Sequence, residues 1–329
     1  MAGRIVAQRS VWTMGWAARM LALDYPRAPE IQVTATIIDG RAVAEEIRAE
    51  LRERVERLRE RGVTPGLAFV LVGENPASIS YVRSKAQACE EIAIRSETIR
   101  QPAETSQAEL LALIARLNAD PTWHGVLVQT PLPPQIDEDI VARAISPEKD
   151  VDALNPVNMG LLLRGEPAFL SCTPAGIQQI LLRSGHDPAG KHVVICGRSN
   201  IVGKPLAAIL MQKRPGANAT VTVCHTGTRD LASITRQADI LVAAMGSPRA
   251  ITADMGREGA VVIDVGNNRV ADASRKSGYR MVGDVDFEAV AEKAAAITPV
   301  PGGVGPMTVA MLLWNTVRAA ERAAGAKEG

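Results

Sequence analysis

From Thr36 onward the chain alternates short apolar runs with longer amphipathic ones. TIIDG (36–40) leads into AVAEEIRAELRERVERLRERG (42–62), where Val43, Ile47, Leu51, Val55 and Leu58 recur every three or four residues. That period predicts a helix with one apolar stripe, its Arg/Glu run being a solvated face rather than a binding patch. LAFVLVG (67–73) and GVLVQTPL (125–132) predict buried strands, with helices over about 77–93 and 106–119 between them. A second series follows: HVVICG (192–197), ATVTVCH (219–225), DILVAAMG (239–246) and AVVIDVG (260–266), with helix-length segments separating the first three. A last helix is predicted from near Pro306 through Met311 and Trp314 to about Ala323. Short apolar strands alternating with helices predict an α/β fold with parallel sheets and right-handed crossovers.

Composition narrows this picture. The 329 residues leave room for two domains of ordinary size. Aromatics are only 3%, so the core must be built from Val, Ile, Leu and Ala, which suit a parallel sheet covered on both faces. Lys and Arg number 37 against 36 acids, a balance that gives no global attraction to nucleic acid or an anionic membrane. No apolar run is long enough to span a bilayer. Cys89, Cys172, Cys196 and Cys224 are far apart and form neither a CxxC pair nor a His-flanked cluster. That spacing argues against a disulfide framework or a metal site, and suits a reducing, cytoplasmic setting. Residues 1–33 differ from the rest, carrying Arg4, Arg9 and Arg19 with no acid before Asp24, and Trp12 and Trp16 one helical turn apart. An organelle-targeting peptide has this look; so do an unstructured extension and a start placed ahead of Met14 or Met20.

The strand HVVIC runs directly into GRSNIVGKP (197–205). Gly197 and Gly203 bracket the turn, and Pro205 suits the first turn of a helix. Backbone N–H groups at such a helix start attract a pyrophosphate, although the spacing is not GxGxxG and a ligand-free tight turn would read alike. The second strand ends in CHTGTRD, with His225, Thr226 and Thr228 and no acid before Asp230. Arg198 and Ser199 lie in the first turn. A guanidinium and hydroxyls favour a 2′-phosphate, which a carboxylate would repel, so NADP is expected rather than NAD.

Tyr81 and Lys85 stand four residues apart in a predicted helix and share a face. Alone, the pair also describes a surface Lys beside a half-buried Tyr. YxxxK occurs in short-chain dehydrogenases, but there the glycine-rich turn precedes it, whereas here it follows by more than a hundred residues. Three further segments stand out: VQTPLP (128–133) with Gln129, PEKDVDALNP (147–156) with Asp150 and Asp152, and TPVPGGVGPMT (298–308). The last combines Pro299, Pro301 and Pro306 with Gly302, Gly303 and Gly305, a stiff segment that still allows close approach to a ligand.

Together with YVRSK, SCTPAG, GRSNIVGKP and VIDVG, these segments closely resemble the methylenetetrahydrofolate dehydrogenase/cyclohydrolase family, in order and spacing from about Ile37 to Val317. The resemblance implies a Rossmann-type NADP domain (174–305) and a smaller α/β catalytic, folate-binding domain (34–173, completed by helix 306–323), with the substrate cleft between them. It implies oxidation of 5,10-methylenetetrahydrofolate to the methenyl form, hydrolysis to 10-formyltetrahydrofolate, and a homodimer. A dehydrogenase without the hydrolytic step and a non-catalytic NADP-binding module are the alternatives. By resemblance Tyr81 stacks on the pterin, Lys85 is the central catalytic residue and Gln129 orients it. Asp152 anchors the pyrimidine edge, where a carboxylate can accept two N–H bonds. Pro299, Gly302, Gly303 and Gly305 line the folate side, and Gly197, Arg198, Ser199, Gly203, His225, Thr226, Gly246 and Asn267 the cofactor side. Oxidation needs positioning more than a base. Hydrolysis needs a base, and Lys85 can serve only as a neutral amine, which a neutral Gln partner permits better than a carboxylate would. Asp150 reads as a loop-capping acid.

The chain departs from the family's usual pattern at Ala153 (commonly Gly), Asn155 (often His), Thr130 (commonly Leu) and Asn267 (usually apolar).

Overall fold

A computed structural model describes residues 35–275 and 278–325. The reading of residues 1–33 lies outside the described residues. β1 (Thr36–Ile37) enters α1 (Gly40–Glu60), whose first turn is closed by the Asp39 side chain accepting from the N–H groups of Arg41 and Ala42. The stripe Val43, Ala44, Ile47, Leu51, Val55 and Leu58 is buried, as the period predicts. Each fully buried Ile or Leu there stabilises by about 1.5–3 kcal/mol relative to exposure. β2 (Gly66–Val72) is buried throughout. α2 (Pro76–Glu91) starts at an Asn75 cap with Pro76 in its first turn. β3 (Arg95–Gln101), α3 (Gln107–Ala119, opened by a Ser106/Glu109 capping box), β4 (Gly125–Val128), α4 (Glu138–Ala144), α5 (Pro156–Arg164) and α6 (Cys172–Arg183) follow.

The second half runs β5 (His192–Cys196), α7 (Gly203–Leu210), β6 (Thr220–Cys224), α8 (Leu231–Thr235), β7 (Ile240–Ala243), β8 (Val261–Asp264), β9 (Asn268–Ala271), β10 (Tyr279–Val282), α9 (Phe287–Ala291), β11 (Ala296–Ile297) and α10 (Val304–Ala323). Two parallel sheets result. The smaller has the order β3-β2-β4, and the larger β1-β11-β8-β7-β5-β6. β9 and β10 form a separate antiparallel ribbon.

Two features differ from the sequence reading. The first strand pairs with β11 in the larger sheet, not with the strands that follow it in the chain. The last helix begins at Val304 rather than near Pro306, and it packs on α1, α6 and α2. In the larger sheet the chain passes from β5 to β6 on one side and then to β7 on the other. The carboxyl ends of β5 and β7 flank this switch point, where open α/β sheets leave a crevice for ligands. No described helix is long and apolar enough to cross a membrane.

Candidate active site

α2 turns Val82, Ala88 and Cys89 into the core and leaves Tyr81 exposed and Lys85 half-buried, one turn apart. Lys85 Nζ donates to Gln129 Oε1 at 3.0 Å. Gln129 sits one residue past β4, its backbone N–H bonded to Val70 O, and its Nε2 donates to Thr130 O at 2.6 Å. That second bond fixes the amide so that its oxygen faces the amine. Lys85, Tyr81 and Gln129 are thus brought together. The thiol of Cys172, at the start of α6, is fully buried and pushed well above its usual range, by burial first and then by the charge of Asp152, against a lowering influence of Lys85. Asp152 is half-buried in the segment between β4 and α5.

Asp150 is turned into the protein. It is buried and accepts from the N–H groups of Leu154 and Asn155 and from Asn158 Nδ2. Burial raises its pKa against the lowering effect of those bonds. It holds the turn, as a capping acid should. Asn155 caps α5 and donates to Ile145 O at 2.9 Å, a second structural tie. Ala153 adopts φ +55°, a left-handed conformation in which a side chain is strained and glycine is not. The family's usual Gly therefore has a local backbone reason.

The proline-glycine segment lies against the start of α1. A Cβ on Gly40 would overlap the Gly303 carbonyl, so these backbones meet without side chains between them. Pro299 and Gly302 are half-buried, Gly303 is buried and Gly305 is exposed. Thr308, just inside α10, bonds Thr173 of α6 hydroxyl to hydroxyl at 2.8 Å.

The cofactor-side residues gather at the carboxyl ends of the larger sheet. Gly197 ends β5 with φ +143°, and a Cβ on Gly203 would overlap its carbonyl. The turn between them is a backbone-lined loop that only glycine could close so tightly. Ser199 Oγ accepts from Val202 N, while Arg198, Ser199 and Asn200 are exposed at its rim. After β6, His225 Nδ1 accepts from Gly227 N and Thr226 is exposed. A bare, glycine-closed loop at a helix start, rimmed by a guanidinium and hydroxyls, fits a dinucleotide phosphate.

Sequence reasoning missed the groups that shape this crevice. Asp284 is 0% exposed and accepts from the N–H groups of Met245, Gly246 and Ser247 and from Asn268 Nδ2. The Gly246 N–H is therefore engaged within the protein. Asp264, 2% exposed, accepts from Gly266, Asp284 and Val285 N–H. Burial pushes its pKa up to about 6. An acid inside the apolar run AVVIDVG was the available signal. Asn315 of α10 was also missed; it donates to Val151 O and Leu170 O, tying the Asp152 segment to the last helix. A bond joins the two halves of the site: Asn267 Nδ2, just past β8, donates to Tyr81 OH at 2.7 Å.

Comparison with known proteins finds two matching domain families. The catalytic domain of tetrahydrofolate dehydrogenase/cyclohydrolase matches residues 38–152, and its NAD(P)-binding domain matches residues 171–324. The bifunctional protein FolD of Dehalococcoides mccartyi strain CBDB1 is 59% identical over 295 residues, covering 89% of this chain and 99% of its own. That of Moorella thermoacetica is 58% identical over 288 residues, covering 88% and 99%. The crystal structure of the bifunctional FolD dehydrogenase/cyclohydrolase of Campylobacter jejuni superposes with a TM-score of 0.83 at 48% identity, covering 88% of this chain and 99% of that one. The Trypanosoma brucei FolD, solved with NADP and an inhibitor, gives 0.83 at 44%, covering 88% and 98%.

Proposed function

The chain belongs to the tetrahydrofolate dehydrogenase/cyclohydrolase family, and from that premise we propose how its residues divide the work of two steps. The protein oxidises 5,10-methylenetetrahydrofolate to 5,10-methenyltetrahydrofolate with NADP, then hydrolyses that product to 10-formyltetrahydrofolate. In the first step a C–H bond of the methylene bridge breaks and its electron pair leaves as hydride, for which bound NADP+ would be the acceptor. In the second, water adds to the methenyl carbon and loses a proton, and the bond to N5 opens to leave the formyl group on N10.

The observation that carries the assignment of roles is the Lys85–Gln129 bond on the face of α2 that also bears Tyr81. Tyr81 stacks on the pterin and Asp152 receives its pyrimidine N–H groups. Lys85 takes the proton of the attacking water, with Gln129 aiming the amine and adding no negative charge that would hold it as ammonium. Pro299, Gly302, Gly303 and Gly305 line the folate side. The turn from Gly197 to Gly203, with Arg198 and Ser199 at its rim and His225 and Thr226 opposite, holds the phosphates of NADP; Gly246 and Asn267 complete that side. The domain limits follow the same reading, with 34–173 and the last helix forming the catalytic part and 174–305 the NADP part. The chain works as a cytoplasmic homodimer, supported by the family resemblance and by four free, buried cysteines.

The test is an absorbance assay of methylenetetrahydrofolate oxidation with NADP and NAD side by side, coupled to detection of 10-formyltetrahydrofolate. The expected result is faster oxidation with NADP and appearance of the formyl product. Oxidation without formyl product would leave a dehydrogenase alone, and no oxidation would end the reading.

A further inference from the structure

The bond between Asn267 Nδ2 and Tyr81 OH joins residues 186 positions apart. Tyr81 belongs to α2, beside the three-stranded sheet, and is 47% exposed. Asn267 is also exposed and stands at the carboxyl end of the six-stranded sheet, three residues past β8. Two exposed side chains are not needed to fill a core, so this contact does something other than hold the fold together. The Lys85–Gln129 bond, by contrast, runs between α2 and the end of β4, on the three-stranded side alone.

The two reactions make different demands on these contacts. Hydrolysis requires the folate, water and Lys85, all on the α2 side. Oxidation requires the folate on α2 to stand in register with the crevice at the ends of β5, β7 and β8. Reacting atoms must approach to about 3–3.5 Å, and a misplacement of about 1 Å can cost about a hundredfold in rate.

We propose that Asn267 is a positioning residue for the oxidation step: its carboxamide holds the Tyr81 phenol, and with it the folate-bearing face of α2, in register with the cofactor crevice, and it takes no part in hydrolysis. Asn267 stands on the cofactor side and acts on the oxidation step through its bond to Tyr81. This rests on the reading of the site given above.

Both activities, together with NADP affinity by titration calorimetry, are measured on the wild type, Asn267→Leu, Tyr81→Phe and the double variant. Leu matches Asn in shape and removes the amide; Phe keeps the stacking ring and removes only the hydroxyl. The oxidation kcat is expected to fall at least about tenfold more than the hydrolysis rate in Asn267→Leu. Tyr81→Phe should reproduce the shift in the ratio, and the double variant should add nothing further. Affinity for NADP alone should stay within about twofold in Tyr81→Phe, which removes the bond without touching the cofactor side. Misfolding would lower both activities together, so the hydrolysis rate reports on the fold. An unchanged ratio in Asn267→Leu overturns the inference. So does weakened NADP binding in Asn267→Leu with a native ratio in Tyr81→Phe, which would make Asn267 a direct cofactor ligand. If the wild type oxidises no methylenetetrahydrofolate, the reading of the whole site falls, and this inference with it.

Discussion

Lys85, in α2, and Asp284, two residues past β10, are both polar groups of the site, and they are satisfied very differently. Asp284 is wholly buried and receives four hydrogen bonds, three from consecutive backbone N–H groups. Lys85 is half-buried, and among the described residues its amine has one hydrogen-bond partner, the Gln129 amide. A saturated carboxylate can do little except hold the loop wrapped around it. An amine with donors to spare, aimed by a neutral amide, is free to meet a substrate. The side around Asp284 is therefore built as a rigid frame and the α2 side as a site with unused bonding capacity.

The comparison can be broken most sharply at Lys85. Lys85→Met should lower methenyltetrahydrofolate hydrolysis by about a thousandfold, the usual scale of a positioned base, while NADP binding stays native. Gln129→Asn should weaken both steps by about tenfold, since the amine is then misaimed for either. Asp284→Ala should do the opposite of Lys85→Met. With three N–H groups left without their acceptor, unfolding in urea should show a loss of about 3 kcal/mol, and NADP should bind more weakly.

Asp264 adds a pH dependence to the frame. Its carboxyl is raised to about 6 by burial, with the charge of Asp284 adding to the shift against the backbone N–H groups that lower it. The folded chain therefore holds this proton more tightly than the unfolded chain does. The stabilising contribution is complete below the ordinary aspartate value of 3.8 and is lost as pH rises through about 6. Between about pH 4.5 and pH 7.5 this amounts to about 2 kcal/mol. Urea unfolding at both pH values should show that difference shrinking in Asp264→Asn. The smallest effect is expected at Ala153, where φ is +55°. Ala153→Gly relieves the left-handed strain but gives the unfolded chain more freedom, for a net gain of about 0.5 kcal/mol in thermal unfolding.

Much of this frame was legible along the chain. The 3.6-residue stripe of α1 and the apolar runs of β2, β5, β7 and β8 gave the parallel α/β fold, because strands buried on both faces announce themselves by composition. β3 did not, since RSETIRQ is an edge strand, none of whose residues is fully buried. The β9/β10 ribbon likewise lacks an apolar run. Lys85 and Gln129 were found through motifs, but their contact spans 44 positions and no local pattern encodes it. The same holds for β1 joining β11, and for Asn267 reaching Tyr81. Asp284 was missed because VGDVD reads as an exposed acidic turn, and only the folded chain reveals the N–H groups converging on it.

The most direct measurement of the central claim is the rate of methenyltetrahydrofolate hydrolysis by Lys85→Ala, without and with added ethylamine. A free amine entering the space left by the side chain should restore part of a rate that is otherwise lost by about a thousandfold. A native rate in Lys85→Ala without any added amine would contradict the assignment of Lys85 as the base.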